Sequence, residues 1–186
     1  MTAIASTRTY AIDPAHSSVH FSVRHLMISK VRGTFDKLSG TIELPADSNI
    51  PRSITVTVDA TSVNTREPQR DGHLRSADFL DVEHHASLTF DSTSVTPKGS
   101  DAFVVTGQLE IHGTKREVTL NASLSGAGKD PWGNDRVAYE GTTKINRKDF
   151  GLTWNQALEA GGVAVGEDID ITIDVEAIPA PPTTAA

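Results

Sequence analysis

The stretch RDGHLRSADFLDVEHHASLTF, residues 70–90, decides how this chain folds. Its flanks alternate apolar and polar residues, and it does not. Asp71 is placed to cap a short helix near residues 71–80, with Leu74 and Phe79 as the apolar side. Arg70, Asp71, His73, Arg75, Ser76 and Asp78 crowd into one turn-like segment. Val82, His84, Ala86, Leu88 and Phe90 then resume a period-two pattern, the mark of a half-buried strand. A polar helical interruption between strands is where a β-rich protein closes or gates a cavity.

Working outward, strand patterns lie on both sides. Before the stretch, Asp13-Pro14-Ala15 signals a turn. Val19, Phe21 and Val23 alternate with polar partners, as do Ile54, Val56 and Val58. Val31 to Leu44 reads as one long irregular strand. Phe35 sits on odd parity and Leu38, Ile42 and Leu44 on even parity, so a bulge at Gly33 or Gly40 is expected to reset the face. After the stretch, Phe103, Val105, Leu109 and Ile111 share one face. Val118, Leu120, Ala122 and Leu124 share another. Between them Gly113-Thr114 suits a two-residue hairpin loop. That loop sets Leu109 opposite Val118 and Phe103 opposite Leu124, with the like charges Glu110 and Glu117 also opposed. Val137, Tyr139 and Ile145 mark a further strand. Ile169, Ile171, Ile173 and Val175, alternating with acids and Thr172, give the clearest strand of all.

No long amphipathic helix is available to cover these faces. They must bury against their own sheet or a second one, as a barrel or a sandwich. The glycines within strands permit sharp bending and favour the barrel. The length of 186 residues suffices for one domain with a sizeable core. Lys and Arg number 17 against 24 Asp and Glu, a net charge of -7, which argues against nucleic acid as a partner. With no cysteine, disulfides and thiolate chemistry are excluded. The first residues lack the ~7–15-residue apolar core of a signal peptide, and no apolar run nears the ~20 residues of a spanning helix. A cytoplasmic location is the resulting expectation.

Seven histidines raise the question of a metal. His16, His20 and His25 are too far apart along an extended strand to share one ion. His84 and His85, as strand neighbours, would point to opposite faces. No metal site is expected. Ser76, His73 and Asp78 are close in sequence, but a triad is recognised by geometry. The glycine-rich GGVAVG, residues 161–166, lacks the Lys-Ser/Thr of a phosphate loop. The catalytic alternative is an enzyme acting on an apolar substrate through His73, Arg75 and Asp78. A third reading is an interaction barrel with a packed interior and no ligand. Trp132 is expected to plug a barrel end and Trp154 to line a pocket mouth. Arg116, on inward parity beside the hairpin, is set opposite Ile111 at the rim.

Several blocks carry a resemblance. HLRSADFLDVEHHASLTF, VRHLMISKVRGTFDKLSG (23–40), GQLEIHGTKREVTL (107–120), INRKDFGLTWN (145–155) and LEAGGVAVGEDIDITIDVEAI (158–178) resemble the YceI-like family. The family comprises lipocalin-fold, polyisoprenoid-binding proteins, and the matches run in order from about Tyr10 to Ile178. The resemblance implies an all-β, antiparallel lipocalin-like barrel of about eight strands spanning residues 8–178. Residues 1–7 and 179–186 are expected to be a mobile N-terminus and a disordered tail, and short helical segments are expected near 71–80 and 155–160. It also implies a polyisoprenoid or isoprenoid-quinone-like lipid held in the lumen for storage, shielding or transport, without catalysis or cofactor. Relatives in this family are often exported.

On that reading the lumen and mouth are formed by Phe21, Val23, Phe35, Phe79, His84, Leu88, Phe90, Leu109, Ile111, Trp154, Ile171 and Ile173. His73, Arg75 and Arg116 are the head-group candidates. Transient membrane contact and a homodimer complete the expected partners. Asn64 to Leu80, poor in apolar residues, is expected to cover one end of the lumen and open for exchange.

Overall fold

The computed structural model describes residues 7–181. The expectations for the two termini therefore fall largely outside the described residues, although Thr7 already opens the first strand and Pro179 ends the last. Strands β1 (Thr7–Ile12), β2 (Ser18–His25), β3 (Ser29–Phe35), β4 (Leu38–Pro45), β5 (Ser53–Asp59) and β6 (Val63–Asn64) lead to helix α1 (Pro68–Arg75). Then follow β7 (Ser87–Pro97), β8 (Ala102–Ile111), β9 (Thr114–Lys129), β10 (Asp135–Asn146) and β11 (Val165–Pro179).

The strands neighbour one another in the order β1, β4, β5, β7, β8, β9, β10, β11, and β11 pairs back onto β1. Eight antiparallel strands thus close a lipocalin-like barrel, and no sheet edge remains along that ring. The remaining three strands prolong it. β11 pairs β1 through residues 177–179 and β2 through residues 165–174. β2 pairs β3, and β3 pairs β6. So β1–β2, β3–β4 and β5–β6 are three long strands, each broken once.

Polar side chains make these breaks. Asp13 accepts the N–H of Ala15 at 3.0 Å and Asp59 that of Thr61 at 2.8 Å, each giving the backbone a turn in place of a ladder. β3 and β4 part at Asp36 and Lys37, whose N–H groups donate to the carbonyl and hydroxyl of Ser62 at 3.3 and 3.1 Å. Phe35 and Leu38 are both buried across this break, so the face resets here and not at Gly33 or Gly40. Gly33 provides clearance instead: a Cβ there would lie 2.4 Å from Cζ of Phe21, whose ring crosses the strand at that point.

The β8–β9 hairpin turns on His112 and Gly113, with φ of 52° and 71°. Both central residues are left-handed, as a type I′ turn demands and as the right-handed strand twist favours. The expected Gly113–Thr114 loop is therefore one residue out. Leu109 pairs Arg116, Gly107 pairs Val118 and Phe103 pairs Ala122. Moving a two-residue loop by one moves the pairing by two, so every side chain keeps its face. Glu110 now meets Lys115 at 3.4 Å, and the opposed glutamates disappear.

The interior has two halves. Tyr10, Leu44, Phe103, Val137, Tyr139 and Ala177 pack one end, each at most 7% exposed. There Phe103 meets Tyr139 edge-on at 5.9 Å, and the Tyr139 hydroxyl donates to the Asn49 carbonyl at 2.7 Å. At the other end Phe21, Val23, Leu109, Val118, Ile169 and Ile171 point inward yet remain half-buried. No helix forms at residues 155–160, where Gly161 and Gly162 take φ of 86° and 92° and the chain makes only the Ala157–Val163 bridge. The short helical turn of this connection lies earlier, at Arg147–Phe150.

Candidate ligand-binding site

The half-filled end of the barrel holds a cavity of about 270 Å³. Phe21 and Val23 on β2, Phe35 on β3, Leu88 and Phe90 on β7, Leu109 and Ile111 on β8, and Ile171 and Ile173 on β11 all line it. Period-two alternation puts them there, since one face of each strand must look into a closed barrel. An engineered apolar cavity of ~150 Å³ stays dry and takes up benzene or xenon. This larger one offers an apolar ligand a wall with almost no hydrogen-bonding partner.

The mouth is built where the sheet is incomplete. β6 ends at Asn64, and β7 joins β5 only from Ser87 onward. The chain between them fills the gap with α1 and the turns after it. Glu67, not Asp71, caps α1, accepting from the N–H groups of Gln69 and Arg70, and Pro68 starts the helix. Asp71 is buried and accepts from the N–H and hydroxyl of Thr65 at 2.8 and 2.6 Å. Arg70 donates to the same hydroxyl at 2.8 Å. The polar face expected to greet a head group is thus largely spent in fastening the helix.

Arg75 shows this most directly. Its guanidinium donates to the carbonyls of Thr61 and Val63, both at 2.8 Å, and so pins α1 to the strand it left. His73 bonds Asp78 at 2.9 Å. Arg75, His73 and Asp78 therefore do not converge on a common point, which removes the geometric basis for a catalytic group made of them. Arg116 is exposed, and its guanidinium turns to the Lys115 carbonyl at 2.9 Å. It stands at the turn end of β9 rather than over the cavity. His84 is also outside the lumen. β7 begins at Ser87, the chain from Asp81 to His85 is a turn, and the His84 ring is 73% exposed beside Asp81. The period-two pattern before Ser87 was coincidental.

Three rings from two segments close over the opening. His73 and Phe79, from α1 and the turn after it, meet edge-on at 5.0 Å. Trp154, from the β10–β11 connection, meets His73 at 4.7 Å and Phe79 at 5.3 Å. Phe79 lines the cavity, whereas Trp154 is not among its lining residues and meets it only through Phe79 and His73. Trp132 does not plug a barrel end: it is 81% exposed in the β9–β10 turn.

Arg147, not singled out by the sequence reading, organises that connection. It is 2% exposed and lines the cavity. Its guanidinium donates to the carbonyls of Leu152 (2.6 Å), Trp154 (2.9 Å), Gly166 (2.8 Å) and Val165 (3.3 Å). Burial lowers its pKa, and the four carbonyls take the place of a carboxylate. A signal was present: Arg147 continues the inward parity of Tyr139 and Ile145, where a charge is out of place.

Comparison with known proteins agrees with this architecture. The family model described as "YceI-like domain" matches residues 10–177. A UPF0312 protein of Vibrio cholerae is 39% identical over 150 residues, covering 80% of this chain and 79% of that protein. The crystal structure of the Campylobacter jejuni YCEI protein superposes with a TM-score of 0.74 at 29% identity, covering 85% of this chain and 90% of that one. A polyisoprenoid binding domain from Saccharophagus degradans, implicated in plant cell wall breakdown, shares the fold with a TM-score of 0.68 at 18% identity. It covers 92% of this chain and 98% of that domain.

Proposed function

Because this chain belongs to the YceI-like family, we propose that its barrel carries one long-chain apolar lipid, a polyisoprenoid or isoprenoid-quinone-like molecule, without transforming it. The observation that carries the reading is the cavity wall. Inward-facing Phe21, Leu109, Val118 and Ile171 remain half-buried at the open end, while the far end is packed solid. A tail entering there gains contact along its length and meets a floor around Phe103 and Tyr139.

Energetics decide where the lipid comes from. About 40 carbons at ~0.8 kcal/mol each would gain on the order of 30 kcal/mol on leaving water. That exceeds the ~18–21 kcal/mol ceiling of noncovalent binding, so the real exchange is with a membrane, where most of the gain cancels. The β2–β3 turn suits such an exchange. Leu26, Met27 and Ile28 at its tip are 38%, 54% and 82% exposed. Arg24, His25, Lys30 and Arg32 flank them, and no carboxylate lies between Val23 and Gly33, in a chain of net charge -7. His25 pairs with Val165, itself part of the cavity wall, so the tip stands directly beyond the open end.

Native mass spectrometry with organic extraction of the purified protein tests the proposal. One bound lipid per chain is expected. A chain that yields no extractable lipid and takes up none from isoprenoid-containing vesicles would overturn it.

A further inference from the structure

We propose that Asp81, His85 and His112 form a site for one divalent transition-metal ion of the zinc class, clamping the mouth segment to the β8–β9 turn. One ligand atom of each of the three residues lies within 4.8 Å of those of the others. That spacing lets a single ion touch all three with small side-chain movements. Two imidazoles and one carboxylate suit zinc and its first-row neighbours, with water completing the coordination. All three residues are only partly buried, which leaves an ion a path from solvent.

The chain builds this cluster from two distant segments. The Asp81 carbonyl accepts the N–H groups of His84 and His85 at 3.0 and 2.8 Å, folding residues 81–85 into one tight turn. That turn brings both His84 and His85 back to the Asp81 side chain, which a strand, sending neighbours to opposite faces, would not have allowed. His84 Nδ1 lies 2.9 and 3.0 Å from the two Asp81 carboxylate oxygens and holds that side chain in place. A partner of this kind behind a ligand is a usual feature of metal centres. From the other side His112 occupies the first position of the β8–β9 turn. The His85 and His112 rings lie 4.8 Å apart. His85 reaches that position only over Gly113, where a Cβ would fall 2.7 Å from its ring. Asp81 and His112 both hold left-handed backbones, φ 47° and 52°, outside a glycine. Among the described residues the second acid-histidine grouping, Asp13, His16 and Glu176, is already met by the Arg136 guanidinium, which donates to Asp13 and Glu176.

The position gives the ion a role. Leu80 and Ile111, one residue before Asp81 and His112, both line the cavity. An ion joining the two turns ties the end of the mouth segment to the barrel wall. The metal site itself stands whether or not the lumen carries a lipid.

Calorimetric titration of the full chain with zinc chloride is the first test, with the cobalt(II) visible spectrum reporting ligand geometry. One ion per chain is expected. His85→Ala and His112→Ala should each weaken binding at least about tenfold, while His16→Ala should leave it unchanged. Hydrogen exchange supplies the second readout: zinc should slow exchange at residues 79–86 and 110–115 in the wild type and not in His112→Ala. Because these are partly exposed turn residues, circular dichroism should show both variants folded; if His112→Ala does not fold, His112→Gln replaces it. Absence of binding, several equivalent weak ions, or one ion that survives both substitutions would overturn the site. Binding without a change in exchange would overturn the clamp.

Discussion

Phe79 and Trp154 meet across the barrel mouth with ring centroids 5.3 Å apart, although they belong to segments on opposite sides of the opening. Phe79 closes the lumen from the α1 side, where it is 8% exposed. Trp154 reaches it from a connection held by Arg147. The contact joins two segments over the mouth, and opening for exchange is expected to begin there. Phe79→Ala is expected to cost about 3–5 kcal/mol in urea unfolding, because a large buried side chain leaves a cavity. It is also expected to speed lipid release, followed by Trp154 fluorescence in a Trp132→Phe background. Unchanged release from a destabilised variant would move the gate away from Phe79.

Arg147 is expected to matter more than its distance from any charge partner suggests. Arg147→Met keeps the bulk but strands four carbonyls, and an orphaned buried polar group costs about 1–3 kcal/mol. A net loss of at least about 3 kcal/mol is expected, with faster hydrogen exchange over residues 150–166. Arg147→Lys should rescue little, since one ammonium cannot span the carbonyls that a planar fork reaches. Full rescue by lysine would show that charge, not geometry, holds the connection.

The packed end should respond to acid. Arg136 sits between Asp13 at 2.9 Å, Asp130 at 3.1 Å and Glu176. Hydrogen bonds from Asn134, Arg136 and the Trp132 N–H hold Asp130 at about 2, below its ordinary 3.8. Asp13 is lowered first by His16, then by Arg136 and the Ala15 N–H. Carboxylates depressed in the folded state bind fewer protons there than in the unfolded chain. Their stabilisation is present above pH ~4 and is lost as pH falls from ~4 towards ~2. Melting temperature measured across that window should fall less steeply in Arg136→Gln than in the wild type. Parallel curves would assign acid sensitivity elsewhere.

The β2–β3 tip offers a test of membrane exchange that spares the fold. Ile28 is 82% exposed, so Ile28→Glu should change stability by no more than about 0.5 kcal/mol. It should abolish co-sedimentation with anionic vesicles and slow lipid transfer. Salt should weaken wild-type binding, because raising it from about 0.1 M to about 1 M shrinks the Debye length from ~10 to ~3 Å. Equal binding by the variant would remove the tip from the exchange route.

Much of the fold is legible in the sequence. Alternation at Ile169, Ile171, Ile173 and Val175, with no covering helix, required a barrel or a sandwich, and the glycines within strands and the family resemblance favoured the barrel. The face of each strand followed from parity alone, and for the β8–β9 pair it survived a register error of two residues. Register itself was not legible. It depended on whether His112 or Thr114 joined Gly113 in the turn, a choice settled by left-handed backbone geometry that residue types only hint at.

The sequence by itself determined which side chains could face a lumen, because the period of a strand is a local property. Tertiary structure alone decided what the polar residues do. His84 and His85 both reach Asp81 because residues 81–85 form a turn, not a strand that would send them to opposite faces. Arg75 and Asp71 became fasteners because α1 lies against the strand it left, and Arg147 became a buried hub because a connection folds back over it. Such roles depend on which carbonyls and rings arrive from distant segments. Hydrogen bonds are short-ranged and directional, so no pattern along one segment carries them.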